Sequence, residues 1–308
     1  MAVRSLSASS SGRLARSYLY VPADATERLK SAGRRGADAI IADLEDAVAL
    51  KHKDLALHNV IEWLNSDHPA SSELWVRMNP GQRGLDEVAA LFHENLIGIC
   101  LPKVSGPEDI ERVAALLDDL EAVANRQSPV SLMPLIESAL AVQSLPGIAT
   151  ASRVLRLQIG EIDLAADLGV AGADESNQLD FSRASVVVAS AAAGLLAPVG
   201  AVSTQFRDLE SFAVSTRRLR RSGFVGRAAI HPAQIPIIHD VYAASADEII
   251  RAQRLVSQYD AALASGNGVV LDEDGRMVDE AVVRQSRRLL MLADLHNQHG
   301  EKNREGAQ

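Results

Sequence analysis

Eight short apolar runs, each parted from the next by an amphipathic stretch, leave few architectures open to this chain. The runs lie at 18–22, 38–44, 74–79, 97–102, 131–136, 154–160, 197–203 and 224–232. Helical periodicity fills the gaps at 24–35, 52–64, 85–95, 107–124, 138–151, 182–196 and 207–222. Strands spaced by helices of that length read as parallel βαβ units, because parallel neighbours need a crossover connection. Eight such units are the count of a closed (β/α)₈ TIM barrel, and an α/β barrel of this kind is the expected fold. The rival is a doubly wound sheet, which usually has fewer strands and often a Gly-rich phosphate turn. Neither GxGxxG nor GxxxxGK occurs in the chain.

The barrel accounts for residues 16–240. Residues 241–308 form a helical extension, with an amphipathic helix at 245–263, a Gly-containing loop, a GRMVD turn and a last helix at 280–295. This exceeds what barrel closure needs, so the extension is expected to cover its own barrel or to reach a neighbouring subunit. Residues 1–16 are Ser-rich, carry three Arg and have no acid, a composition like that of a transit peptide. The plainer reading is a disordered tail over residues 1–15.

Of 308 residues, 47% are hydrophobic and 23% charged, and the net charge is -9 with no basic stripe. Nucleic acid is therefore not an expected partner. The single cysteine, Cys100, excludes an internal disulfide and a cysteine-based zinc site, and its run IGICLP reads as core. No apolar run approaches the roughly 20 residues of a membrane span. A cytoplasmic protein is expected.

Barrel enzymes place their chemistry at the C-terminal ends of the strands. Those ends carry Asp43 through Asp46, Arg77 and Asn79, Lys103, Glu137, Asp163, Ser203 and Thr204, and His231. Charges converging on one axis cost desolvation unless they are paired or used. Glu137 and Asp163 each close an apolar run at a neighbouring strand end, which suits a hard cation such as Mg²⁺. Their plainer readings are a helix N-terminal acid for Glu137 and an N-cap for Asp163. Arg77 lies inside an apolar strand and needs an anion, either a protein carboxylate or a substrate carboxylate. Glu45 and Asp46 read either as a cap pair or as groups that orient metal-bound water. Lys103 pairs with one of them or serves the site. His231 reads as a structural hydrogen-bonding residue, and Asp167 and Asp174 as solvated or capping acids.

The segments RSYLYVPA (16–23), ADLEDAV (42–48), VRMNP (76–80), LPKV (101–104), PLIESA (134–139), GEIDLAADLG (160–169) and IHPAQI (230–235) occur in order. In these the chain resembles the citrate lyase β-subunit-like family of the HpcH/HpaI aldolase superfamily, over roughly residues 16–295. The resemblance implies a (β/α)₈ barrel, Mg²⁺ held by Glu137 and Asp163, and a homo-oligomer, often a trimer or hexamer. It implies that Arg77 binds substrate and that the backbone at Ile162 and Asp163 holds the substrate carboxylate beside Glu137. It also places Arg16 near the thioester cofactor. Ala23 stands where many relatives have Gly, and both residues are small. The turn G275-R-M-V-D279 resembles that of stand-alone malyl-CoA and citramalyl-CoA lyases, whose Asp acts in a neighbouring subunit. By sequence logic alone Asp279 is a surface acid before a helix. The resemblance makes it a catalytic acid/base.

The expected activity is Mg²⁺-dependent cleavage of a 3-carboxy-3-hydroxyacyl-CoA, of malyl-, citramalyl- or citryl-CoA type, to acetyl-CoA and a 2-keto acid. The alternatives are a metal-dependent aldolase for free 2-keto-3-hydroxy acids, a malyl-CoA thioesterase, and a non-catalytic keto-acid-binding lyase subunit.

Overall fold

The computed structural model describes residues 15–66, 68, 72–170 and 177–305, with side chains to residue 295. The expected tail over 1–15 lies outside these residues except for Ala15, and Asp174 lies outside them as well. The chain divides into two compact units, Ala15–Tyr242 and the residues from Ala243 onward.

In the first unit, strands alternate with helices as the apolar runs require. The order is β1 (Ser17–Pro22), α1 (Thr26–Ser31), β2 (Ala39–Asp43), α2 (Lys53–Leu64), β3 (Glu73–Arg77), α3 (Gly81–Leu91), β4 (Leu96–Leu101) and α4 (Pro107–Ala124). Next come β5 (Ser131–Ile136), α5 (Ala139–Gln143), α6 (Leu145–Thr150), β6 (Gln158–Ile159), α7 (Glu161–Asp167), α8 (Asp180–Ala192), α9 (Leu209–Arg221), β7 (Arg227–Ala229) and α10 (Ile235–Tyr242). Seven parallel strands make one sheet in the order β6-β5-β4-β3-β2-β1-β7.

The expected seventh strand at 197–203 is not a regular strand. Pro198 has no N–H to give a ladder, and pairing narrows to two bridges, Val199 with Gln158 and Gly200 with Arg227. Those bridges carry real hydrogen bonds to both edge strands. Ile159 N donates to the Val199 carbonyl at 3.2 Å, and Ala228 N donates to the Gly200 carbonyl at 3.0 Å. The helix expected at 138–151 is two helices, with Pro146 in the first turn of α6. Two short helices, α7 and α10, were not expected as separate elements.

Strand side chains alternate between two buried layers. Leu19, Val21, Ile40, Ala42, Leu74, Val76, Ile99, Leu101 and Leu132 join the helices in the larger core. Tyr18, Tyr20, Ala39, Ile41, Trp75, Cys100, Met133 and Leu135 fill the other face. Both faces are covered, which explains why these strands read as nearly unbroken apolar runs. Gly98 makes room for Trp75: a Cβ there would stand 2.2 Å from the indole Cζ3.

The second unit pairs α11 (Ala246–Ala264) with α12 (Glu280–Glu305) and carries a hairpin of β8 (Val270–Leu271) and β9 (Met277–Val278). Ser245 and Glu248 form a capping box at the head of α11. Tyr259, Val278 and Val283 are its buried centre. Gly275 supplies the left-handed residue of the hairpin, with φ of 74°.

Candidate active site

Strand parity decides what faces the inner layer. The inner positions Ala39 and Ile41 lead to Asp43, Trp75 leads to Arg77, and Met133 and Leu135 lead to Glu137. Three charged side chains thus emerge on the inner face at the C-terminal ends of β2, β3 and just beyond β5. Asp43 and Arg77 are direct register partners.

The Arg77 guanidinium donates from Nε to Asp43 Oδ1 at 2.7 Å and from Nη2 to Oδ2 at 2.6 Å. Its Nη1 lies 3.1 Å from Glu45 Oε2. The ring of Tyr20 lies beneath it, with its centroid 5.2 Å from Cζ. Tyr20 is itself held by a hydrogen bond from its hydroxyl to Gln158 Oε1 at 3.1 Å. Protein carboxylates therefore answer the buried charge of Arg77, whose side chain keeps 13% exposure.

After β4 the chain turns at Lys103, a non-glycine residue with φ of 53°. This left-handed residue aims its amide at Glu137 Oε1, 2.5 Å away, and its ammonium at Glu45 Oε1, 2.7 Å away. The same ammonium reaches Asp46 Oδ1 at 3.2 Å. Lys103 pairs with both acids. Burial raises the Glu45 carboxyl above its ordinary range, against the hydrogen bond from Lys103. The local cap is Asp43, whose Oδ1 accepts from Glu45 N at 2.9 Å, so Glu45 and Asp46 are not simply a cap pair.

Glu137 is buried and does not serve a helix terminus, since Ser138 caps α5. Burial pushes its carboxyl up to about 7; the Lys103 amide pulls it down, and the Asp163 charge pushes it further up. Gly160 lets Glu137 come close, because a Cβ there would stand 2.8 Å from Glu137 Oε2. Asp163 lies inside the first turn of α7, and the N-cap is Gly160, so the N-cap reading of Asp163 does not hold. Ile162 and Asp163 are both exposed.

A carboxyl raised mainly by burial, and further by a second carboxylate, is one whose charged form a bound cation would stabilise. Among the described residues no three His, Cys, Asp or Glu side chains gather as a metal cage. One or two carboxylates are a donor set that Mg²⁺ takes, and the chemistry of Glu137 and Asp163 fits that ion. Beside them the carboxylates of Asp43, Glu45 and Asp46 are answered by two cations, Arg77 on Asp43 and Glu45 and Lys103 on Glu45 and Asp46.

Arg16 stands away from this cluster. Arg16 immediately precedes β1, at the opposite end of the sheet, where its backbone N and Nε donate to Asp38 Oδ2 at 2.9 and 3.0 Å. A six-residue strand spans about 20 Å, so Arg16 is not part of this cluster. Asp279 lies in the second unit and caps α12, accepting from Ala281 N at 2.9 Å. His231 accepts from Ala233 N at 3.1 Å and stacks on Phe206, with centroids 5.3 Å apart. Asp167 accepts from Ala139 N at 2.7 Å.

Sequence reasoning gave no role to Asp43, Tyr20, Lys53 or the Asn79–Glu87 pair. Parity along β1, β2 and β3 carried the signal for Tyr20 and Asp43. Nothing local in α2 or α3 marks Lys53 or Glu87. A further buried pair, Glu161 with Arg183, ties the first turn of α7 to α8, with Nε 2.7 Å from Oε1.

Residues 16–232 match the family model for HpcH/HpaI aldolase/citrate lyase. The citrate lyase subunit beta of Leuconostoc mesenteroides subsp. cremoris is 34% identical over 293 residues, covering 92% of this chain and 95% of that protein. The L-malyl-CoA/beta-methylmalyl-CoA lyase of Rhodobacter capsulatus is 31% identical over 310 residues, covering 92% and 96%. Among solved structures, CitE from Mycobacterium tuberculosis in complex with magnesium, acetoacetate and coenzyme A superposes with a TM-score of 0.73 at 25% identity, covering 91% and 98%.

Proposed function

The chain belongs to the HpcH/HpaI aldolase/citrate lyase family, and on that premise we propose that it is a Mg²⁺-dependent carbon–carbon lyase. Its substrate is a 3-carboxy-3-hydroxyacyl-CoA of malyl-, citramalyl- or citryl-CoA type, and its products are acetyl-CoA and a 2-keto acid. The observation that carries this is the buried Glu137 carboxyl, bound by the Lys103 amide, together with an Arg77 guanidinium already fixed at two points by Asp43. Relatives named for citrate lyase and for malyl-CoA lyase, and a solved relative holding magnesium with coenzyme A, support the same reading.

Glu137 and Asp163 would hold the ion, which supplies Lewis-acid polarisation of the substrate oxygens when bound. Arg77 binds the substrate oxygens and neutralises the negative charge that develops there. The backbone at Ile162 and Asp163 receives the substrate carboxylate. Glu45, Asp46 and Lys103 orient water and keep Arg77 in place. In cleavage the substrate hydroxyl gives up its proton to solvent and its oxygen becomes the keto oxygen, the carbon–carbon electron pair passes to the thioester fragment as an enolate, and the Asp279 carboxylic acid gives its proton to that carbon. In condensation the same carboxylate removes the proton. A neighbouring copy supplies Asp279, which makes the working form a homo-oligomer, a trimer or hexamer.

The proposed fold is the closed (β/α)₈ barrel, with residues 197–201 as the short eighth member between β6 and β7. The hydrogen bonds from both edges to Val199 and Gly200 support it. Among the described residues no helix is long and apolar enough to cross a membrane. One buried cysteine suits a reducing compartment, and the cytoplasm is the proposed location.

The test is incubation of purified protein and Mg²⁺ with malyl-, citramalyl- and citryl-CoA, following acetyl-CoA and keto acid together. Equal release of both from one thioester is expected. Free CoA without keto acid would indicate a thioesterase, and no turnover of any thioester would overturn the reading.

A further inference from the structure

Lys53 opens α2, yet its ammonium is buried beneath the turn that leaves β2. Its three donors meet three acceptors: the Leu44 carbonyl at 2.6 Å, the Glu45 carbonyl at 2.7 Å and Asn79 Oδ1 at 2.7 Å. An ammonium has three N–H groups and no acceptor, so this shell is complete. Each carbonyl takes a second bond as well. Asn79 Nδ2 donates to the Leu44 carbonyl at 2.9 Å, and Val48 N donates to the Glu45 carbonyl at 2.9 Å. Asn79 is fixed from the other side by Glu87, which accepts from its amide N at 2.8 Å and from Nδ2 at 2.6 Å.

This arrangement is poor value for stability alone. A buried cation facing neutral oxygens is costly. A cation in the first helical turn also opposes the helix dipole. A methionine would fill the space without either penalty, though it would take this donor from the buried Asn79 Oδ1. What the ammonium does control is the backbone of residues 44–46, whose side chains carry Glu45 to Arg77 and Lys103, and Asp46 to Lys103.

We propose that Lys53 is a positioning residue for the reaction: it clamps the β2 exit turn so that Glu45 bridges Arg77 and Lys103. The inference rests on the lyase reading of that site. It acts through the Glu45 and Leu44 carbonyls and touches no substrate.

The experiment uses the full chain with Lys53→Ala, assayed with and without n-butylammonium or n-butanol. Lys53→Met, which keeps the aliphatic volume, serves if the alanine variant does not fold. The expected result is a fall in kcat of about 10- to 100-fold, the range for groups that orient site residues, with KM changed far less. Butylammonium should restore at least part of kcat in Lys53→Ala, and butanol should not. Hydrogen exchange at the amides of residues 44–48 should quicken in the variant and slow again with butylammonium. Wild-type kcat in both variants, or equal rescue by butanol, would overturn the proposal. If the wild-type protein cleaves no thioester, the lyase reading fails. The exchange data then still decide: faster exchange relieved only by the ammonium supports the clamp, and unchanged exchange ends it.

Discussion

The Arg77 guanidinium holds both oxygens of the Asp43 carboxylate, at 2.7 and 2.6 Å, across two strands in which these residues are register partners. The pairing leaves Nη1 turned toward Glu45 at 3.1 Å and lays the Tyr20 ring under the plane. A cation fixed before substrate arrives need not reorganise when charge develops. Bidentate geometry of this kind depends on the planar fork and not on charge alone.

Arg77→Lys should therefore lower kcat/KM by on the order of 10²-fold or more, because an ammonium cannot grip Asp43 at two points and still face the site. Steady-state kinetics with the preferred thioester measure this. A variant with near-normal kcat/KM would remove Arg77 from the reaction.

Glu137→Ala and Asp163→Ala should each abolish Mg²⁺-dependent turnover while the fold survives, since Asp163 is exposed and Glu137 lies at a strand end. Calorimetric titration with Mg²⁺ reads the assignment directly. Binding equal to wild type in both variants contradicts it.

The Glu137 carboxyl, at about 7 against an ordinary 4.5, makes the metal-free protein sensitive to pH. The folded state binds the proton more tightly than the unfolded chain. Its stabilising contribution is present below 4.5 and is lost as pH rises through about 7. The loss is on the order of 3 kcal/mol at most, from the free energy of a pKa shift of this size. Urea unfolding without metal should show wild type losing stability over that window relative to Glu137→Gln. The affinity for Mg²⁺ should rise over the same window, because the proton must leave before the ion binds. Parallel pH profiles for wild type and Glu137→Gln would mean that Glu137 titrates normally.

Gly98→Ala tests the packing under the site. The new Cβ would stand 2.2 Å from Trp75 Cζ3 and 2.7 Å from the Ser131 carbonyl, so a large ring or a strand must shift. A loss of roughly 1–3 kcal/mol is expected, as for overpacked cores, read from the urea midpoint. An unchanged midpoint would show that the inner layer is loosely filled.

Asp279→Asn and Arg77→Ala should each be inactive alone, and mixed oligomers of the two should regain activity. Some sites would then combine an intact Arg77 with an intact Asp279 from different chains. The Asp279 variant should keep its Mg²⁺ affinity, since it loses a proton carrier and not a ligand. Full activity of Asp279→Asn, or no rescue after verified subunit exchange, would leave Asp279 as the cap of α12 and nothing more.

Much of the parallel α/β layout could be read from the alternation of apolar runs and helical segments, because a strand covered on both faces must be apolar almost throughout. The acids and bases at the strand ends were legible for the same reason, as polar residues that interrupt a pattern of burial. Periodicity cannot see who pairs with whom. That Arg77 answers to Asp43, that Lys103 adopts φ of 53° to serve Glu137, and that Lys53 turns back under β2 are matters of register and of turns. Arg16 shows the same limit from the other side, since the whole length of β1 separates it from the cluster and its charge is spent on Asp38. The sequence by itself determined where the apolar strands run and that charged residues gather near their ends, because apolar burial follows from local hydrophobicity. Only the tertiary structure decided which of those charges meet, because pairing depends on contacts between segments far apart in the chain.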